Sequence, residues 1–330
     1  MGASKATAQI LALRGICDSG SAQVALKANG SPQLFMSGGA NLTPFLQSEG
    51  WIVQPVLLSA VGEQARYSVK APSLIINEIA DPDSHGKVLK IASTFRKNFP
   101  KAPCINEPDA VLSLTRDEVY RRLFGLPGVI MPQTQRLNIS SRRQVVELLE
   151  RASGPVLLRK AGEHNGRNTV LLNSLADIEE TDRLPLDGSA YYLTDFVDFR
   201  SADGLYRKYR LVVIGGEVFL RHMIAGRNWM VHAESRLADY ASEEAAALAG
   251  FDRDIKPRIA ETCAAIAETL GLDYFGVDCA LMDNSQLLIF EANANMNVLV
   301  NSEPRPNMFE KPVARIIQAL SSMLATRMAV

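Results

Sequence analysis

The sequence predicts an α/β protein: a Rossmann-like domain over residues 1–108, followed by two α+β lobes over 109–190 and 191–330. Three observations predict this. Short β-rich runs alternate with a helical stretch in the first hundred residues. Two long β-rich runs meet at Gly215 and Gly216, a hairpin signal. A second hairpin near the end carries Asp278, Glu291 and Asn293.

In the first domain, SPQLFMSGG is an apolar stretch ending in two glycines, and WIVQPVLL and SLIINEIAD read as strands. HGKVLKIASTFRKNF places apolar residues at Val88, Leu89, Ile91, Ala92 and Phe95, a helical spacing. The order strand, helix, strand predicts a parallel sheet, whose strand ends near Gly38, Gly39 and 77–81 can border a cleft. No GxGxxG follows the first strand, which argues against a dinucleotide site. Pro108 disfavours helix at Glu107 and marks a boundary.

Beyond it, residues 109–123 read as a helical segment and LPGVIMPQTQRL as a loop and strand. SSRRQVVELLERASG has serine caps and helical spacing. PVLLRKAGEHNGRNTVLL reads as strand, glycine-bearing loop, strand, and YYLTDFVDF as a strand running into a linker. After the central hairpin come two helices, SEEAAALAG and IKPRIAETCAAIAETLGL, the second closed by Gly271. YFGVDCALMD and SQLLIFEANANM form the final strand pair, and residues 312–330 an amphipathic terminal helix.

Composition narrows the function classes. A net charge of −1 gives no global field to draw in nucleic acid. Cys17, Cys104, Cys263 and Cys279 lack CxxC spacing and sit among apolar neighbours, which argues against structural zinc and suits a reducing cytoplasm. The N-terminal apolar run is interrupted by Arg14 and does not read as a signal peptide, and no apolar run is long enough for a membrane span.

Four segments carry chemistry. Asp278 on one strand of the last hairpin, with Glu291 and Asn293 two apart on the other, can converge as an all-oxygen site for magnesium. Glu291 directly follows LLIF, where an unpaired charge would be costly. Arg159 and Lys160 precede the loop with Gly162 and Gly166, whose N–H groups can cover phosphates. The strand and linker holding Thr194, Asp195, Phe196, Val197 and Asp198 can offer backbone groups to a ring. Lys208 and Arg210 share a strand face, with Arg221 and His222 on the partner run, a clustering that calls for an anion.

In this order the segments resemble the ATP-grasp superfamily of ligases. The closing GLDYFGVDCALMDNSQLLIFEANANMNV is the specific part, and the resemblance covers about residues 108–300. It implies a pre-ATP-grasp domain, a two-lobed ATP-grasp domain, ATP, and two magnesium ions held by Asp278, Glu291 and Asn293. It further implies phosphate contacts from Arg159 and from Arg116 or Arg121, and an adenine hinge at Thr194, Asp195, Phe196 and Val197. Lys208 stands near a family ribose acid, a role Asp195 or Asp198 can take instead. Arg210 matches an arginine of the branch that adds glutamate. Gly276 stands where D-alanine–D-alanine ligases carry arginine, a charge Arg221 or Arg227 can supply.

The implied reaction joins a small acid to an amine through an acyl-phosphate, with Arg210 and Arg221 stabilising charge and the loop over 162–168 closing to exclude water. His85, Trp229, His232 and Asn295 are candidate substrate residues, Trp229 and His232 forming a W-x-x-H element. The competing readings are a phosphotransferase acting on a small-molecule acceptor and a non-catalytic nucleotide-binding module. The apolar N-terminal lobe allows a homodimer.

Overall fold

The computed structural model describes residues 8–329 apart from 27–28, 36–37, 40–41, 47–49, 63–68 and 164–165. Residues 1–7 of the N-terminal run, Met36 and Ser37 of SPQLFMSGG, and His164 and Asn165 of the glycine-bearing loop therefore lie outside the described residues.

The N-terminal region is a parallel sheet of β1 (Ala8–Gly15), β4 (Trp51–Leu58), β5 (Leu74–Asn77) and β6 (Cys104–Ile105), in the order β4-β1-β5-β6. Strand β1 comes from the stretch weighed as a leader. Its Ile10, Leu11, Ala12 and Leu13 are fully buried, as a central parallel strand covered on both faces requires. Arg14, which interrupts the apolar run, donates through Nε to Glu78 at 2.7 Å. Helix α1 (Pro82–Arg96) starts where Asp81 accepts from the Asp83 N–H, and buries Val88, Leu89 and Ala92 on the sheet. Strands β2 (Gln23–Leu26) and β3 (Pro32–Phe35) differ from the expected pattern: the PQLF run pairs antiparallel with β2 in a separate two-stranded ribbon.

The middle lobe is a four-stranded antiparallel sheet in the order β10-β9-β11-β8. It comprises β8 (Thr134–Asn138), β9 (Val156–Lys160), β10 (Thr169–Leu172) and β11 (Ala190–Asp195), with α4 (Arg142–Leu149) packed beside it. Its core of Ile139, Val145, Val156, Leu158, Val170, Leu172 and Tyr191 is its own.

The C-terminal sheet runs β13-β12-β14-β15-β7. Strands β12 (Tyr206–Ile214) and β13 (Glu217–Gly226) turn at Gly215 and Gly216, whose φ values of 56° and 86° suit a primed two-residue turn. Strands β14 (Tyr274–Leu281) and β15 (Leu287–Ala294) are the final hairpin. Helices α3 (Arg116–Leu123), α5 (Ala241–Gly250), α6 (Lys256–Leu270) and α7 (Glu310–Met328) complete the lobe, while α2 (Pro108–Leu112) packs on α1. Two segments cross the limits drawn from the sequence: β7 (Val129–Ile130) pairs with β15, and β11, which begins at Ala190, belongs to the middle sheet.

The N-terminal and C-terminal sheets share hydrophobic cores. One cluster runs from Leu11, Ile75 and Val88 to Val277, Cys263 and Ile266. Helix α7 places Ile316, Leu320 and Leu324 between Ile10 and Ile76 on one side and Val212 and Tyr274 on the other. Each such side chain contributes roughly 1.5–3 kcal/mol by leaving water, so these two parts form a fused base on which the middle lobe sits. No described helix is long and apolar enough to cross a membrane.

Candidate active site

A cavity of about 240 Å³ opens between the middle sheet and the face of β12, β14 and β15. Its polar wall follows from strand register. Asp278 lies directly opposite Glu291, and Gly276 opposite Asn293, so the three oxygen-bearing side chains meet on the cavity side. Two β-bulges tune this wall. On β15, Asp278 pairs with Glu291 but Cys279 with Ile289, which leaves Phe290 as the extra residue. Its carbonyl accepts from Arg116 Nη1 at 2.9 Å, and Arg116 Nη2 reaches Glu291. On β13, Arg210 pairs with His222 and Leu211 with Leu220, so Arg221 is the extra residue.

Both carboxylates are held by cations. Arg210 forks onto Asp278 with Nε and Nη2, each at 2.7 Å, and Lys208 Nζ lies 3.3 Å away. Burial alone would lower the Arg210 value, but its bonds to Asp278 raise it overall. Burial pushes the Glu291 carboxyl upward, yet Arg116, Arg159 and Arg210 outweigh it and hold the group well below the usual carboxylate range. Arg159 Nη1 stands 4.0 Å from Glu291, and its Nη2 donates to the Glu163 carbonyl at 2.5 Å. Burial, then neighbouring Arg116, bring the Arg159 guanidinium down to about 10, so it remains a cation. Arg116, Arg159, Lys208 and Arg210 thus gather around Asp278 and Glu291, while Asp195 lines the same cavity and is shifted upward by burial alone.

The other end of the cavity is apolar. Met131, Leu157, Phe196, Val197, Phe199, Trp229, Leu288 and Phe290 line it. Phe196 and Trp229 meet edge to face at 6.1 Å, and Phe199 packs on Phe290 at 4.7 Å. Thr194 is the penultimate residue of β11, and its hydroxyl meets that of Thr134 at 3.1 Å. The Asp195 and Phe196 N–H groups are taken by the Gln133 and Pro155 carbonyls, at 3.0 and 2.8 Å, so they are not available to a ring.

Of the residues singled out from the sequence, Arg116, Arg159, Gly166, Thr194, Asp195, Phe196, Val197, Lys208, Arg210, Trp229, His232, Asp278, Glu291 and Asn293 line this cavity. Others lie elsewhere. Arg121 is on the outer face of α3, paired with Asp117 and Glu118. Residue 121 lies five after Arg116, about 140° further round a helix. Asp198 pairs with exposed Arg200 and does not line the cavity. Gly162 approaches Asp83 of α1 instead of the cavity. Arg221 is turned away by the bulge and donates to the Val298 and Val300 carbonyls at 2.8 and 2.9 Å. His85 is buried in the N-terminal domain beside Gly15 and Gly38. Asn295 is an internal tie: its Nδ2 donates to the Asn77 carbonyl at 2.6 Å, and its Oδ1 accepts from Asn106 at 2.8 Å. Gly276 leaves no room for a side chain, because a Cβ there would run into Met296.

Sequence reasoning missed Tyr192 and Phe290. Tyr192 lines the cavity, and its hydroxyl bonds Asp83 at 2.8 Å, linking the middle lobe to α1. Its place two before Thr194 on a strand was the available signal.

These lobes and their shared cavity define the ATP-grasp fold, and the chain has it. A RimK domain ATP-grasp protein from Sphaerobacter thermophilus aligns with a TM-score of 0.52 at 12% identity, covering 97% of this chain and 100% of its own. A D-alanine–D-alanine ligase from Bacillus anthracis, complexed with ATP, aligns with a TM-score of 0.55 at 10% identity, covering 98% and 97%. At the sequence level the chain is 22% identical over 212 residues to human N-acetylaspartylglutamate synthase A, over 62% of this chain and 50% of that protein. The chain thus matches about half the length of that relative. No family model matches.

Proposed function

We propose that this chain is an ATP- and magnesium-dependent ligase that joins a carboxylate to an amine through an acyl-phosphate. The observation that carries the reading is the opposition of Asp278 and Glu291 across β14 and β15, facing one cavity with four cations and an apolar far end.

The donor set suits magnesium bound together with phosphate. Two carboxylates and the Asn293 amide are hard oxygen donors, too few for a protein-only cage but fitted to an ion that keeps phosphate and water ligands. Asn293 lines the same cavity two residues beyond Glu291, so its amide oxygen would be the third donor. Bound there, magnesium would neutralise phosphate charge. Arg116, Arg159 and Lys208 supply fixed positive charge beside a triphosphate, in a walled site where such charge acts more strongly than in water. Arg210 forks onto both Asp278 oxygens, so an ion at Asp278 would share that carboxylate with the guanidinium, which would add positive charge beside the phosphoryl group. Val197, with Phe196 and Trp229, forms the apolar slot for the base.

The relatives support the reaction class through their names: a ligase of D-alanine with D-alanine and a synthase of N-acetylaspartylglutamate both make amide-bonded products. The test is ADP release with panels of small acids and amines. Release that requires both, with an amide product, is the expected result. Release driven by a hydroxyl acceptor alone would favour a phosphotransferase and overturn the ligase.

A further inference from the structure

Three asparagines meet in the interior where the N-terminal sheet abuts the final hairpin. Asn77 closes β5, Asn106 directly follows β6, and Asn295 directly follows β15. All three are fully buried. Buried amides are costly unless their nitrogen and oxygen find partners, and here every one does. Asn295 Nδ2 donates to the Asn77 and Ile79 carbonyls at 2.6 and 3.2 Å. Asn77 Nδ2 donates to the Asn106 carbonyl at 3.2 Å, and its Oδ1 accepts from the Ile79 N–H at 3.1 Å. Asn106 Nδ2 donates to Asn295 Oδ1 at 2.8 Å.

The second observation is what Asn106 holds. Its Oδ1 accepts from the Asp273 and Tyr274 N–H groups at 2.9 and 3.1 Å, and its Nδ2 reaches the Tyr274 carbonyl at 2.5 Å. Tyr274 begins β14, and the Asn295 N–H donates to the same carbonyl at 3.2 Å. One side chain thus grips both strands at the open end of the hairpin, one step beyond the Phe275–Ala294 pair. Asn293 lies two residues inside that end and Glu291 four. The turn at the other end cannot fix their register by itself, because the bulge at Phe290 lies between it and the ligands. A slip of one residue would turn Glu291 and Asn293 away from Asp278.

Resting on the magnesium reading above, we propose that Asn106, seated by Asn77 and Asn295, is a positioning residue for the metal site. It sets the register of the final hairpin so that Glu291 and Asn293 meet Asp278. The ligands then stand together before an ion arrives, and binding does not have to order them. The network ends on β5 and β6, so the N-terminal domain contributes to metal binding without lending a ligand.

The experiment is calorimetric titration of the full chain with ATP, in magnesium and in EDTA, with urea unfolding of each variant. The variants are Asn106→Gly, Asn295→Gly and Leu89→Ala. Asn106 and Asn295 have φ of 56° and 51°, which glycine adopts freely, so the first two delete amide bonds without straining the backbone. Leu89→Ala opens a cavity between α1 and the N-terminal sheet, away from the hairpin, and controls for lost stability. Asn106→Gly is expected to weaken ATP about tenfold in magnesium and to leave its affinity in EDTA unchanged. Asn295→Gly shifts the same way by less, since Asn106 stays on Tyr274, and Leu89→Ala binds as the wild type does in both. Wild-type magnesium dependence in a folded Asn106→Gly, or the same selective loss in Leu89→Ala, means that the amides only stabilise, and the inference falls. Should Asn106→Gly not fold, Asn295→Gly decides by the same two outcomes. ATP uptake by the wild type that ignores magnesium overturns the metal reading itself, and this inference with it.

Discussion

Glu78 directly follows β5 and Glu291 lies within β15, and both carboxylates face arginine. They differ in how many cations surround them. Glu78 has Arg14 at 2.7 Å, with the Leu42 and Thr43 N–H groups at 3.0 and 3.2 Å. Burial outweighs these partners, and its value is shifted upward. Glu291 has Arg116, Arg159 and Arg210 around it, and its value is driven down despite burial. One arginine and two N–H groups do not offset the burial of Glu78, whereas three arginines more than offset that of Glu291 and hold it charged. The count of neighbouring charge, more than burial, separates a structural acid from one fitted to chemistry.

The largest effect is expected at Asp278, a third buried carboxylate, which anchors two cations. Asp278→Ala leaves Arg210 and Lys208 without their shared partner and should cost about 3–5 kcal/mol in guanidinium unfolding. A loss under about 1 kcal/mol would show that these cations find other partners, as exposed pairs do.

Arg116 and Arg121 sharpen the comparison within one helix. Arg116→Ala removes a cation from the cavity and should weaken ATP by roughly tenfold or more. Arg121→Ala breaks only surface pairs and should change neither ATP affinity nor stability by more than about 0.5 kcal/mol.

Glu78→Gln should cost about 1–2 kcal/mol at acid pH by disturbing the Leu42 and Thr43 bonds, read from thermal unfolding. The pH dependence has a definite sign. The folded-state value of Glu78 lies above the unfolded one, so wild-type stability falls as pH rises from the ordinary carboxylate range to the raised value. Gln lacks that slope, so the deficit of the variant should shrink over the same interval. A deficit that grows with pH would mean that Glu78 is stabilised as the anion, like Glu291.

The parts of the site carried by one hairpin were legible in the sequence. Asp278, Glu291 and Asn293 meet because antiparallel pairing and period two bring them together. What escaped reading lies where period fails or distance intervenes. The bulge at Arg221 turns that side chain to the Val298 and Val300 carbonyls, and a bulge leaves no mark in a count of alternating residues. Asn295 has the composition of a site residue but welds the N-terminal sheet to β15, a contact that spans 218 positions. Strand β1 was hidden because the same apolar run serves as a leader or as a central strand, and only its partners β4 and β5 decide. The parallel sheet was visible in its alternation with α1, whereas the PQLF run, of strand composition too, pairs outside it.

The central claim is that Glu291 is held charged in order to bind a metal with a nucleotide. The direct measurement is magnesium-dependent ATP turnover, with acid and amine present, by the wild type and Glu291→Ala, alongside their circular dichroism. The account predicts at least about a hundredfold loss of turnover with the fold retained. Turnover equal to the wild type in a folded Glu291→Ala would contradict it.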